Sequence, residues 1–260
     1  MSCFNHGVML NNDFKKSEIM DNLYLEFIGD NFFIENFSKE SNFIEIKCTN
    51  KYNNKIIKNL PLWVSWTHQK KQKKIMSNSN GIATFQLSPL WTSKKNQVLR
   101  VSVIQSDSLF NQNMKLDSSI YFIETNIKTK GPKIFLEESI KNLGKTSIND
   151  NIIEAIKEYF TAEFFVEFTK IKIKSDFVLN LNVDTFESKI RSNLDLPYII
   201  NTSSNLSLKI NNANKNDNIF HIELPSVKAG DYDKKHTAGK KAINNLAKYI
   251  MKNKILREQT

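Results

Sequence analysis

Ser79-Asn80-Gly81-Ile82-Ala83-Thr84-Phe85-Gln86-Leu87 runs from a turn into a strand. An Asn-Gly pair tolerates the positive φ that a tight turn matched to strand twist demands. Ala83, Phe85 and Leu87 then share one side of the chain and Thr84 and Gln86 the other, the period of a strand with one buried face. Similar short segments lie on both sides: Phe43 to Cys48, Leu62 to Trp66 and Lys74 to Ser77 before it, Val98 to Ile104 and Ser119 to Thr125 after it. Short alternating runs separated by polar turns are the rhythm of a β-sandwich, which is expected over residues 41–128.

Upstream, residues 1–40 read as a flexible segment in which Leu23-Tyr24-Leu25-Glu26-Phe27-Ile28 and Phe32-Phe33-Ile34 form strands that join or flank the sandwich. Downstream, Gly131-Pro132 marks the boundary, with strands giving way to a helix and a second domain over 132–256. Ser147-Ile148-Asn149-Asp150 has the spacing of a helix N-terminal cap. Ile152, Ile153, Ala155, Ile156, Tyr159 and Phe160 then form an apolar stripe at helical spacing. Strand signals follow at Phe164 to Phe168, Phe177 to Val183, Leu206 to Ile210 and Ile219 to Leu224, alternating as in an antiparallel sheet wet on one face. A closing helix over about 235–254 puts Ala242, Ile243, Leu246, Ala247 and Ile250 on one side and lysines and asparagines on the other.

Asn59-Leu60-Pro61-Leu62-Trp63-Val64-Ser65-Trp66, followed by the Asn80-Gly81 hairpin, resembles bacterial immunoglobulin-like domains of the invasin/intimin type, where such a hairpin closes the sandwich. That resemblance implies a spacer or adhesion module. Ser175-Asp176-Phe177-Val178-Leu179-Asn180-Leu181-Asn182-Val183, with Val227-Lys228-Ala229-Gly230 before an Ala-rich last helix, resembles the small α/β domain of bacterial outer-membrane lipoproteins. The families are the flagellar assembly protein T group and the penicillin-binding-protein activators. They imply a non-enzymatic periplasmic role, with an envelope protein or an anionic envelope polymer as partner. The expected fold is therefore α+β in two domains, an immunoglobulin-like β-sandwich and then an antiparallel sheet covered by two helices.

The sequence begins Met1-Ser2-Cys3 and lacks the apolar region of a signal peptide or a membrane-crossing run, which reads as cytoplasmic. A small residue before Cys3, with a polar segment after it, also matches the end of a lipoprotein signal, so Cys3 is a candidate lipidation site. A signal encoded upstream would place the protein in the periplasm or at the outer membrane. Cys48 lies in an apolar strand pattern and reads as a buried thiol, with a disulfide to Cys3 as the alternative; neither cysteine has a zinc-site spacing.

The formal charge of +10 is concentrated. From Lys47 to Ser106 there is no Asp or Glu, while Lys or Arg recurs throughout. Such a field draws anionic partners. Trp63, Trp66 and Trp91 near this run combine aromatic and basic surface, as used for single-stranded nucleic acid and for sugars. Of Trp63 and Trp66, one belongs to the core and the other to the surface. Lys70, Lys71, Lys73, Lys74 and Trp66 form the candidate anion-binding set, and a nucleic-acid-binding protein is the alternative reading.

Catalytic chemistry finds little support in the sequence. His6, His68, His221 and His236 have no metal-protease spacing, and no nucleophile elbow or phosphate loop occurs among seven glycines. Asp231-Tyr232-Asp233 before the last helix reads as a capping loop, and Asp184 with Glu187 as two acids at a strand end without a third group beside them. No enzyme activity, cofactor or metal is expected.

Overall fold

The computed structural model describes residues 22–38, 42–67, 69–87, 91–103, 122–188, 198–211 and 218–256. Among the described residues strands dominate, with two long helices, so the chain is of the α+β class.

The first eight strands are β1 (Leu23–Ile28), β2 (Phe32–Glu35), β3 (Asn42–Asn50), β4 (Pro61–Trp66), β5 (Gln69–Met76), β6 (Ile82–Leu87), β7 (Asn96–Val103) and β8 (Phe122–Lys130). They form a three-stranded sheet ordered β1-β3-β6 and a five-stranded sheet ordered β2-β8-β7-β4-β5. All pairings are antiparallel except β2 on β8. Of the two alternatives for the clusters at Leu23 to Ile28 and Phe32 to Ile34, joining or flanking the sandwich, the first holds, since both are members of its sheets. Alternation decides what each strand buries: Ile44, Ile46 and Cys48 from β3 and Ala83, Phe85 and Leu87 from β6 meet Leu62, Val64 and Trp66 from β4 and Leu99, Val101 and Val103 from β7 in one core. Asn80-Gly81, expected to close a hairpin, instead turns the chain from β5 in one sheet to β6 in the other, which pair with β4 and β3 and not with each other. Gly81 holds φ +69°, and its amide and carbonyl are both bonded, to Asn78 and Cys48. A Cβ there would lie 2.9 Å from the Cys48 carbonyl oxygen, so the turn needs glycine for space as well as for φ.

Gly131-Pro132 does not lead into a helix. It leads into β9 (Lys133–Asn142), which turns through Leu143-Gly144 into the two-residue β10 (Lys145–Thr146). Helix α1 (Asp150–Phe164) follows, capped by Asn149, whose Oδ1 accepts the Ile152 N–H at 3.2 Å. The cap thus falls within the expected stretch Ser147–Asp150, and Ser147 donates its backbone N–H to Ile140. Phe164 ends the helix, so the strand expected from there shrinks to β11 (Glu167–Thr169). After a 3-10 turn at Lys172–Lys174 come β12 (Phe177–Glu187), β13 (Tyr198–Ile210), β14 (Asn218–Leu224), β15 (Lys228–Asp231) and helix α2 (Lys235–Lys252).

These strands make one seven-stranded sheet along β10-β9-β12-β13-β14, with β11 beside β9 and β15 beside β13. The sheet is mixed, not antiparallel as expected, because β12 and β11 both pair with β9 in parallel. Helix α1 lies between β9 and β12 in the chain, and a helical crossover of this kind returns the strand in its original direction. Ile152, Ile156 and Phe160 of α1 and Ile243, Leu246 and Ile250 of α2 cover Leu179, Leu181, Leu206 and Leu208 on one face. Gly239 lets α2 approach β9 closely; a Cβ there would sit 1.9 Å from the Asn142 Oδ1. Asn142 is itself buried, donating to the His236 carbonyl at 2.9 Å and accepting from the Thr185 hydroxyl at 2.9 Å.

The two cores meet through residues that the first set of strands contributes to the second core. Phe37, just after β2, is 1% exposed and packs with Trp91, Phe160, Phe164 and Phe220 at ring-centroid distances of 5.1–6.1 Å. Beside it, the buried Asn36 exchanges two hydrogen bonds with the Thr92 backbone and donates to the Phe164 carbonyl at 3.0 Å. That last bond satisfies an acceptor which the end of a helix leaves free.

Candidate binding face

The five-stranded sheet turns one face to the core and the other outward, and the register places aromatic and cationic side chains together on the outer face. Leu62, Val64 and Trp66 point inward, so Trp63 and Ser65 point out. Opposite Trp63 stand Lys74 on β5 and Ser102 on β7, and opposite Ser102 stands Phe122 on β8. Lys74, Trp63, Ser102 and Phe122 thus form one cross-strand row. In the next row Ser65, Arg100 and Glu124 are aligned. Phe122 is 46% exposed, and the Arg100 guanidinium lies 4.4 Å from its ring centroid. Glu124 holds the Arg100 Nε at 2.5 Å, which orients the guanidinium across the face. Farther along β8, Lys130 stands 3.7 Å over the ring of Phe33, on the same outer side as Lys128.

The expected anion-binding set is rearranged by this geometry. Trp66 is 3% exposed and belongs to the core, so it is no part of a surface; Trp63, half-buried, takes the outward place. The parity signal was present, since Trp66 follows Leu62 and Val64 at intervals of two. Lys73 and Lys74 are both exposed but project to opposite sides of β5: Lys73 is opposite Val64, with its ammonium 5.6 Å from the ring centroid of buried Phe85, while Lys74 is opposite Trp63. Lys70 and Lys71 lie on β5, where only their backbone is described. Arg100 and Phe122, which complete the face, belong to separate segments of the sequence and are brought together only by pairing of β7 with β8.

Cys3, His6 and His68 lie outside the described residues. Cys48 is fully buried and free, and burial pushes its thiol up to about 11. The acidic candidates are engaged in local structure. Asp231 binds the Lys241 ammonium at 2.7 Å and the backbone N–H groups of Lys234 and Asp233 at 3.0 Å each, which together hold its carboxyl down at about 2. Asp184 accepts from the Thr185 and Gly144 amides, and Glu187 pairs with Lys235 at 2.8 Å. His221 is exposed on β14, and His236 lies in the first turn of α2. Among the described residues no group of three or more His, Cys, Asp or Glu could hold a metal ion, and no helix is long and apolar enough to cross a membrane.

No protein-family model and no curated protein matches the sequence. Among solved structures the chain is similar to a CARDB domain from Pyrococcus furiosus, with 13% identity over 42% of this chain and 94% of that one at a TM-score of 0.26. It is similar to a putative neuraminyllactose-binding hemagglutinin homolog from Helicobacter pylori, with 18% identity over 46% of this chain and 78% of that one at a TM-score of 0.25. An endo-beta-1,4-mannanase from Thermotoga petrophila matches 41% of this chain at 14% identity and a TM-score of 0.26, and only 19% of the mannanase is spanned. Likenesses this weak assign neither fold nor function.

Proposed function

We propose that this protein is a non-catalytic binding or assembly component of the bacterial cell envelope, in which an immunoglobulin-like module presents a cationic and aromatic face and a helix-roofed sheet carries it. The observation that supports binding is the outer face of the five-stranded sheet, where Lys74, Arg100, Lys128 and Lys130 stand among Trp63, Phe122 and Phe33. Cations beside aromatic rings favour anionic ligands with planar or apolar faces. Of the acids considered for catalysis, Asp184, Glu187, Asp231 and Asp233, the first three are spent on backbone amides and lysines, which supports a non-catalytic reading.

The immunoglobulin-like assignment is supported by topology. In that fold the first, second and fifth strands share one sheet and the third, sixth and seventh the other. Here β1, β3 and β6 occupy the first set, and β4, β7 and β8 the second, with β5 extending it beside β4. The envelope assignment rests on the resemblance of the turn and strand at Ser79–Leu87 and of the Ser175–Val183 strand to envelope families.

The test is protease accessibility of the tagged protein expressed in its host from the gene with its upstream DNA. The expected result is protection in whole cells and cleavage once the outer membrane is opened. Protection that persists until the inner membrane is lysed, together with salt-sensitive retention of nucleic acid, would replace this function with the nucleic-acid reading.

A further inference from the structure

Resting on that binding reading, we propose that the row Lys74, Trp63, Ser102 and Phe122, with Arg100 beside it, is a subsite for an acidic glycan strand lying across the β-strands. The row spans four adjacent strands of the sheet, about 15 Å at the usual spacing between neighbours. Trp63 and Phe122 are two strands apart in it, about 10 Å. That distance leaves room for a bulky unit between two aromatic platforms and is too wide for bases stacked in direct succession. Ser102 stands between the rings and Ser65 beside Arg100, so the space between platforms is lined by hydroxyls that can exchange hydrogen bonds with sugar hydroxyls.

The charges favour a sparsely charged polymer over a phosphate backbone. A phosphodiester strand carries a charge on every nucleotide and is tracked by a continuously basic groove. This row holds one ammonium, Lys74, at one end and one guanidinium, Arg100, toward the other, part of whose charge Glu124 offsets, while Lys128 and Lys130 stand on the same face farther along β8, outside the row. Two cations at opposite ends suit carboxylates that recur with the sugar repeat. Glu124 engages the Arg100 Nε, which leaves the rest of the guanidinium fork to meet a carboxylate. The flat apolar faces of a pyranose ring match the outward parts of half-buried Trp63 and of Phe122, which is the part of the ligand that a purely electrostatic site would ignore.

The test is titration calorimetry of the whole chain with three probes: an oligogalacturonate, inorganic polyphosphate and a thymidine oligonucleotide. The oligogalacturonate is expected to bind, with Trp63→Ala and Phe122→Ala each weakening it about tenfold, Trp63→Phe retaining most of the affinity, and polyphosphate binding changing less than twofold in all three variants. Lys74→Ala with Arg100→Ala is expected to weaken both anions. Melting temperatures of the variants within a few degrees of the parent keep the comparison on the site. Polyphosphate binding without oligogalacturonate binding overturns the glycan subsite and leaves the anion-binding reading standing. Failure to bind any probe overturns both. Tighter binding of the oligonucleotide, lost in Trp63→Ala and Phe122→Ala, overturns the glycan assignment in favour of single-stranded nucleic acid.

Discussion

Leu143 occupies the left-handed region at φ 55°, followed by Gly144 at φ 76°, and Asn142 pairs with Lys145 across them. Two successive positive φ angles are the tight hairpin turn that Asn-Gly serves best, and a branched residue at the first place costs about 1–2 kcal/mol. Leu143→Asn is therefore expected to raise stability by about 0.5–1 kcal/mol in urea titration, because the side chain it replaces is only half-buried. An unchanged or lower midpoint would show that Leu143 contributes packing worth more than its strain. A second residue-scale effect is electrostatic. Asp231 has its carboxyl lowered to about 2, chiefly by the Lys241 ammonium and then by the Lys234 and Asp233 amides. A carboxyl depressed in the folded state contributes stability above its unfolded pKa, near 4, and loses it as pH falls toward 2. The melting temperature of Asp231→Asn should lie below the parent's at pH 7 and converge with it near pH 2; a gap independent of pH would assign Asp231 a purely steric role.

Among the elements, β3, β4, β6 and β7 were legible because each has one dry face and hence a period of two. By contrast, β1 and β2 are too short for period to decide, β5 starts at Gln69 and not at Lys74, and β8, expected to end at Thr125, runs on to Lys130. Ala83, Phe85 and Leu87 name their own core side, and the helices named theirs in the same way at a period near four. What escaped was β9. Ile134, Phe135 and Leu136 are consecutive and apolar, followed by Glu137 and Glu138, and no alternation announces a strand that pairs in parallel on one side. For the same reason Gly131-Pro132 reads, in sequence, as the end of strand structure. Its glycine has a tertiary cause: a Cβ at Gly131 would lie 1.8 Å from the Phe165 carbonyl oxygen, backbone against backbone, where β8 passes into β9 over the end of α1. Gly131→Ala should therefore destabilise at the upper end of overpacking effects, about 3 kcal/mol. Gly144→Ala meets nothing within 4 Å and should cost only its positive φ, about 1–2 kcal/mol. Urea midpoints of the two variants, compared at equal slope, separate crowding from backbone strain, and equal losses would dismiss the crowding at Gly131. The binding face was half legible in the same sense. Composition located its charge, but the partners Arg100 and Phe122 come from strands whose pairing no local pattern reveals, and reading Trp66 as outward ignored its parity with Leu62 and Val64.

For the whole molecule, the question is whether two cores make two folding units. Phe37 and Trp91 belong to the chain segments that border β2 and β7, yet their rings sit among Phe160, Phe164 and Phe220 of the second core, and Asn36 ties Thr92 to the end of α1. Phe37 holds a positive φ of 67°, a conformation unfavourable for a phenylalanine, so packing at the joint outweighs a backbone cost of about 1–2 kcal/mol. Removing a fully buried phenylalanine costs about 3–5 kcal/mol in transfer and cavity terms. Because the lost contacts bridge the cores, Phe37→Ala should also uncouple them. In the parent, tryptophan fluorescence, which reports on Trp66 in the first core and Trp91 at the joint, should fall in one urea transition that coincides with loss of helical circular dichroism from α1 and α2. In Phe37→Ala the two signals should part, with the helical signal lost first, since the second core is the one left with a hole. Asn36→Ala should move the curves in the same direction, as the Phe164 carbonyl and the Thr92 amide lose their buried partner. Separate transitions already present in the parent would mean that the aromatic joint orients the two bodies without coupling their stability.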